Sequence, residues 1–103
     1  MVDTVEKIKQ QLEENNIILY MKGSPEAPMC GFSAQASQAI MSCGKEFAYV
    51  DILQNPDIRA ELPKYANWPT FPQLWVNGEL IGGCDIVLEM HQSGELAQVI
   101  EAA

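Results

Sequence analysis

Long apolar runs are missing from this chain: the longest, Ile17-Ile18-Leu19-Tyr20-Met21, has five residues. A bilayer span needs about 20, so no membrane-spanning segment is expected. Positive charge is also scarce. Lys and Arg number 6 against 14 Asp and Glu, a formal net charge of −8. Phosphate-backbone binding depends on clustered Lys and Arg, which argues against a nucleic-acid partner. Cysteine is sparse and odd in number, with Cys30, Cys43 and Cys84 too few and too irregular for a secreted disulfide scaffold. Met1-Val2-Asp3-Thr4 passes straight into a helical pattern with no basic or apolar leader. The expectation is a reducing compartment, the cytoplasm.

What is present suffices for one compact domain over residues 1–103. The length of 103 residues and a 48% hydrophobic share can bury a core. The charge is unevenly spread. From Glu79 onward there are five acids and no cation, whereas Lys22, Lys45, Arg59 and Lys64 all lie between residues 15 and 78. A small anion could bind that middle region, or the cations could simply serve solubility.

Asp3 with Glu6 resembles a capping box, and Val5, Ile8 and Leu12 share one helical face, so a helix is predicted over about 4–14. The apolar run 17–21 suits a central strand covered on both faces. Gly23, Pro25 and Pro28 break the chain before Cys30. Phe32, Ala36, Ala39, Ile40 and Cys43 then follow a second helical period, with Gly44 placed to stop it. Phe47–Ile52 reads as a second strand. Asn55-Pro56 opens a third helix, capped by the Asn side chain, with Ile58, Leu62 and Tyr65 as its buried face. Pro63 should kink or split that helix. Asn77-Gly78 marks a hairpin between strands 73–76 and 79–82. Asp85 would cap a helix carrying Ile86, Val87 and Met90, and a last short helix carries Leu96, Val99 and Ile100. Helices interleaved with strands, plus the hairpin, imply an α/β fold with a four-stranded mixed sheet flanked by helices on both faces.

Cys30 stands at a helix start, where unpaired amides and the positive end of the helix dipole would stabilise a thiolate, with Lys22 nearby to assist. The plain alternative is a small residue filling a gap. Cys30-Gly31-Phe32-Ser33 has the spacing of a Cys-x-x-Cys pair with Ser in the second place. A lone thiol there cannot resolve a mixed disulfide internally, which excludes a self-contained dithiol cycle. Trp68-Pro69-Thr70-Phe71-Pro72 ends on a residue that cannot donate to a sheet ladder, which suggests an edge, a sharp turn or a cis bond. Its backbone could pair with an extended peptide or form only a rigid loop. Gly82-Gly83-Cys84-Asp85 is either an anion site at a helix start or simply a capped helix. Arg59 in isolation reads as a surface charge. With about 13 helical residues at 1.5 Å each between them, Cys43 would lie roughly 20 Å from Cys30, beyond disulfide reach. Cys43 is therefore expected to be a buried core thiol. His91 is assigned to a solvated helix face and Trp75 to a packed strand.

Met21-Lys22-Gly23, Cys30-Gly31-Phe32-Ser33, Trp68-Pro69-Thr70-Phe71-Pro72-Gln73 and Gly82-Gly83-Cys84-Asp85 together resemble the monothiol glutaredoxins of CGFS type, from about Val5 to Ile100. The resemblance implies a thioredoxin-like fold with a cis Pro72 opposite Cys30. It implies glutathione as ligand, its glycine carboxylate held by Lys22 and Arg59. The cysteinyl part would pair with the Phe71 backbone, and the γ-glutamyl end would rest on Cys84 and Asp85. It further implies a [2Fe–2S] cluster bridging a homodimer, ligated by Cys30 of each chain and two glutathione thiolates, and labile enough for delivery to apo iron–sulfur proteins. BolA-like proteins would be partners. Alternatively, Cys30 is the nucleophile of a glutathione-dependent oxidoreductase that reduces protein–glutathione mixed disulfides. A third reading is a binding module that senses cluster status.

Overall fold

Every residue of Ile17–Met21 (β1) is buried, which requires cover on both sides of the sheet. Ile17, Leu19 and Met21 face one apolar cluster, and Ile18 and Tyr20 face another, as the two-residue period of a strand dictates. The computed structural model describes residues 3–103. Around β1 the elements run α1 (Thr4–Glu14), β1, α2 (Gly31–Met41), β2 (Ala48–Asp51), α3 (Pro56–Ala66), β3 (Gln73–Val76), β4 (Glu79–Gly82), α4 (Cys84–Ser93) and α5 (Glu95–Ala102).

The four strands lie in the order β2-β1-β3-β4. β2 runs parallel to β1, whereas β3 is antiparallel to both β1 and β4. Ala36, Ala39 and Ile40 of α2, Val87 of α4, and Leu96 and Ile100 of α5 cover one face. Ile8 and Leu12 of α1 and Ile58 and Leu62 of α3 cover the other, packing on Ile18, Tyr20 and Trp75. The predicted mixed sheet with helices on both faces is the observed one. Asn77 and Gly78 both have positive φ, 51° and 78°, as a tight two-residue hairpin turn demands. Asp3 Oδ1 accepts from the Glu6 N–H at 2.9 Å and caps α1.

Several local expectations are corrected. The third helix is not split by Pro63, which lies within the continuous α3. Proline there removes one backbone donor, and the buried Ile58 and Leu62 before it keep the helix docked. Asn55 precedes α3, but its side chain makes no cap bond. Its Nδ2 donates instead to the Asp51 carbonyl at 2.9 Å, tying the helix start to the end of β2. Tyr65 is 40% exposed, with its ring 6.2 Å from that of Trp75. Phe32 is 61% exposed and contributes nothing to the core, because the buried stripe of α2 runs through Ser33, Ala36, Ser37 and Ile40. The second strand is shorter than predicted, and Phe47 lies outside it while still packing against the core. Cys43 is half-buried at the core's margin rather than enclosed, its Sγ donating to the Ala39 carbonyl at 3.6 Å. His91 is exposed and Trp75 buried, as expected.

Candidate functional site

The loop between β1 and α2 sets the position of Cys30. Gly23 bridges to Pro28 in an antiparallel sense, and the Met29 N–H donates to the Lys22 carbonyl at 2.9 Å. Gly23 has φ +88°, and a Cβ there would lie 2.5 Å from the Ala27 carbonyl oxygen, so only glycine lets the loop fold back this tightly. Asp51 Oδ1 pins the turn from below by accepting from the Gly23 and Leu53 amides, each at 2.9 Å. The loop ends at Cys30, the N-cap residue of α2, in extended conformation.

At that position the first amides of α2 point toward the sulfur. The backbone N–H of Ser33 is the main cause that holds the Cys30 thiol below the ordinary thiol range, outweighing the upward push of partial burial. The Phe32 amide, the Lys22 charge and the Ser33 hydroxyl act in the same direction. Ser33 is fully buried and its Oγ also accepts from the Lys22 N–H at 3.0 Å, so one hydroxyl joins the loop's mouth to the sulfur. The direction of that shift at Cys30 is the one expected for a sulfur at a helix start.

Beside it lies a groove of about 360 Å³. Trp68, Thr70 and Phe71 form one wall; Gly83, Cys84, Asp85 and Ile86 form the other; exposed Phe32 reaches the groove from α2. The peptide bond Phe71–Pro72 is cis, as the resemblance implied. Gly83, not Asp85, is the N-cap of α4, and Asp85 stands exposed in the first turn with no side-chain cap bond. That correction leaves the first amides of α4 without a capping side chain and puts a carboxylate on the groove's lip. Cys84 is buried, its Sγ donating to Gln35 Oε1 at 3.7 Å. Burial pushes its thiol up, and the charges of Asp85 and Cys30 push it further. Cys30 itself does not line the groove, but its charge is among the causes that raise the Cys84 thiol.

Of the six residues predicted for the site, Phe71, Cys84 and Asp85 thus line one groove, while Cys30 stands at the start of α2, whose Phe32 reaches the groove, and Lys22 lies in the loop before it, its charge acting on Cys30. Arg59 is exposed on the first turn of α3 and does not line the groove. Sequence reasoning assigned no role to Gln35 or Gln73. Gln73 was visible only as part of a motif, because neither hydrophobicity nor spacing distinguishes a buried amide.

The glutaredoxin family model matches residues 17–81, from β1 through the hairpin. The chain belongs to the glutaredoxin family. Its tetrad Cys30-Gly31-Phe32-Ser33, with one sulfur, makes it a monothiol glutaredoxin. Glutaredoxin 4 of Escherichia coli K12 is 74% identical over 101 residues, covering 98% of this glutaredoxin and 88% of that protein. Among solved structures, reduced poplar apo GrxS14 superposes with a TM-score of 0.80 at 41% identity, over 93% of this chain and 88% of that one. A buckwheat glutaredoxin, solved as a complex with glutathione, shares the fold with a TM-score of 0.82 at 24% identity, covering 95% and 87%.

Among the described residues no group of three or more His, Cys, Asp or Glu could hold a metal ion. Cys30 is the cysteine whose thiol is held below its ordinary range, whereas burial pushes Cys43 and Cys84 up. A thiolate ligand fits iron, and a four-sulfur demand would have to be completed from outside the chain.

Proposed function

We propose that this glutaredoxin binds reduced glutathione in the groove and, as a homodimer, carries a [2Fe–2S] cluster for delivery to apo iron–sulfur proteins. Cys30 of each chain and the thiolate of each glutathione would supply the four sulfurs. The observation that carries this reading is the pairing of one stabilised thiolate with a groove whose far end is the uncapped start of α4. The Phe71 backbone would pair with the cysteinyl part of the peptide. Amides at Cys84 would receive the γ-glutamyl carboxylate, and the Asp85 carboxylate the ligand's ammonium. Lys22 and Arg59 would meet the glycine carboxylate, Arg59 by swinging toward the groove from its exposed place on α3. BolA-like proteins are proposed partners of the loaded form.

Anaerobic reconstitution with iron, sulfide and glutathione should give brown protein with visible absorption bands, two Cys30 per cluster and a dimeric mass. Cys30→Ser should remove the colour and Cys43→Ser should retain it. A full cluster on Cys30→Ser would refute the ligand assignment. The same lowered thiol also supports a second reading, in which the Cys30 thiolate attacks the glutathionyl sulfur of a mixed disulfide and displaces the protein's thiolate. A second glutathione thiolate would then attack Cys30–S–S–glutathione, releasing oxidised glutathione and restoring Cys30. Brisk glutathione-dependent reduction of hydroxyethyl disulfide would favour it.

A further inference from the structure

Gln73 is the first residue of β3, fully buried, directly behind the groove's outer wall. Its amide has no freedom of assignment. Trp75 Nε1 is a donor only, so the Gln73 atom 3.1 Å away must be the oxygen. The amide nitrogen then faces two backbone carbonyls, Trp68 O at 3.1 Å and Thr70 O at 3.2 Å. Both of its hydrogens and its oxygen are thus engaged.

Those two carbonyls flank Pro69 and belong to the segment that ends in Phe71-Pro72. Trp68, Thr70 and Phe71 all line the groove. The same segment packs against the opposite wall, since a Cβ on Gly83 would lie 3.3 Å from the Pro72 carbonyl oxygen and 3.4 Å from Trp68 Nε1. Trp75, the amide's third partner, sits against Tyr65 of α3. A side chain at position 73 therefore braces the Trp68–Thr70 backbone from inside the protein, without itself lining the groove.

We propose that Gln73 is the positioning residue of the ligand groove: its amide holds the Trp68–Phe71 wall in the conformation that presents the Phe71 backbone to a bound peptide. This rests on the reading of the groove as a glutathione site. Gln73→Met keeps the volume and removes all three bonds, and Gln73→Glu keeps the oxygen facing Trp75. As a carboxylate, the Glu variant repels the two carbonyls, and as a neutral acid it donates to one of them.

Calorimetry with reduced glutathione, well below the unfolding temperature of each variant, tests the assignment. Gln73→Met should bind about tenfold more weakly than wild type, the loss expected for two hydrogen bonds that order a binding loop. Gln73→Glu should be at least as weak near pH 8 and recover severalfold toward about pH 5.5 as its carboxyl protonates. A role in packing alone would give no such recovery in affinity. Wild-type affinity in either folded variant across that range overturns the inference alone, and no binding by wild type overturns the glutathione reading with it. Should the variants not fold, the wild-type protein decides by nuclear magnetic resonance. The Gln73 side-chain amide protons should exchange slowly with solvent and shift on adding glutathione. Rapid exchange and unmoved signals overturn the inference.

Discussion

Two cysteines stand at helix starts in this protein and behave in opposite ways. Cys30 caps α2 and Cys84 opens α4. The same dipole argument applies to both, yet the Cys30 thiol is held below its ordinary range and the Cys84 thiol is pushed above it. The difference lies in what surrounds each sulfur. Cys30 is partly open to solvent and receives the amides of Ser33 and Phe32 beside the Lys22 charge. Cys84 is buried, donates to Gln35, and has the charges of Asp85 and Cys30 as neighbours. Here the start of a helix lowers a thiol's pKa where the sulfur accepts its amides beside a positive charge, and fails to where burial and negative neighbours act on the sulfur.

The sharpest break of this contrast is alkylation. With limiting iodoacetamide near neutral pH, Cys30 should react at least about tenfold faster than Cys84 or Cys43, because only the thiolate is nucleophilic. Peptide mass spectrometry reads the ratio, and equal labelling in the native protein would remove the contrast. The next effect is on stability. Cys84 is neutral in the fold at a pH where the unfolded chain's thiol ionises. Its share of stability is intact below the unfolded thiol's pKa and is lost as pH climbs toward the raised folded value. Cys30 has the opposite sign: its share is present above the unfolded pKa and is lost as pH falls through its lowered folded value. Thermal unfolding above about pH 9 should therefore decline less steeply in Cys84→Ser than in wild type.

Smaller shifts sharpen the comparison. Ser33→Ala removes one donor to the Cys30 sulfur, so the titration midpoint of Cys30 should rise and its alkylation near pH 7 should slow about threefold. Cys30→Ser should let Cys84 titrate at a slightly lower pH, since the Cys30 charge is the last of the three causes raising it and burial remains. Lys7→Ala serves as a remote control. The Lys7–Asp57 pair at 3.0 Å joins α1 to α3 with both side chains about 40% exposed, and its loss should cost a few tenths of a kcal/mol without moving either thiol.

Much of this arrangement is legible in the sequence because its causes are local. The five apolar residues of β1 fix a doubly covered strand, Asn77-Gly78 fixes the hairpin, and a cysteine after a Pro-rich loop fixes the helix start. Legibility ended where tertiary partners choose between local options. Asn55 has the side chain of a cap and uses it on Asp51 instead. Phe32 fits the helical period, but the packed stripe of α2 is rotated from it, leaving the ring at the groove. Asp85 looked like the cap of α4 and is instead in its first turn, because Gly83 already starts the helix. Cys84, at a site the sequence marks as similar to that of Cys30, is set apart only by burial and by its neighbours across the groove.

Ser33 gives the missing second sulfur a different meaning. Its hydroxyl is enclosed, accepting from the Lys22 amide while turned toward the Cys30 sulfur, so it serves as a latch between helix and loop. Replacing that oxygen with the larger, weaker-accepting sulfur of a cysteine would loosen the latch while creating a disulfide partner. The one-thiol chemistry is in this sense built into the way the loop closes, and conversion to a two-thiol protein would call for compensating changes around Lys22 as well as at position 33.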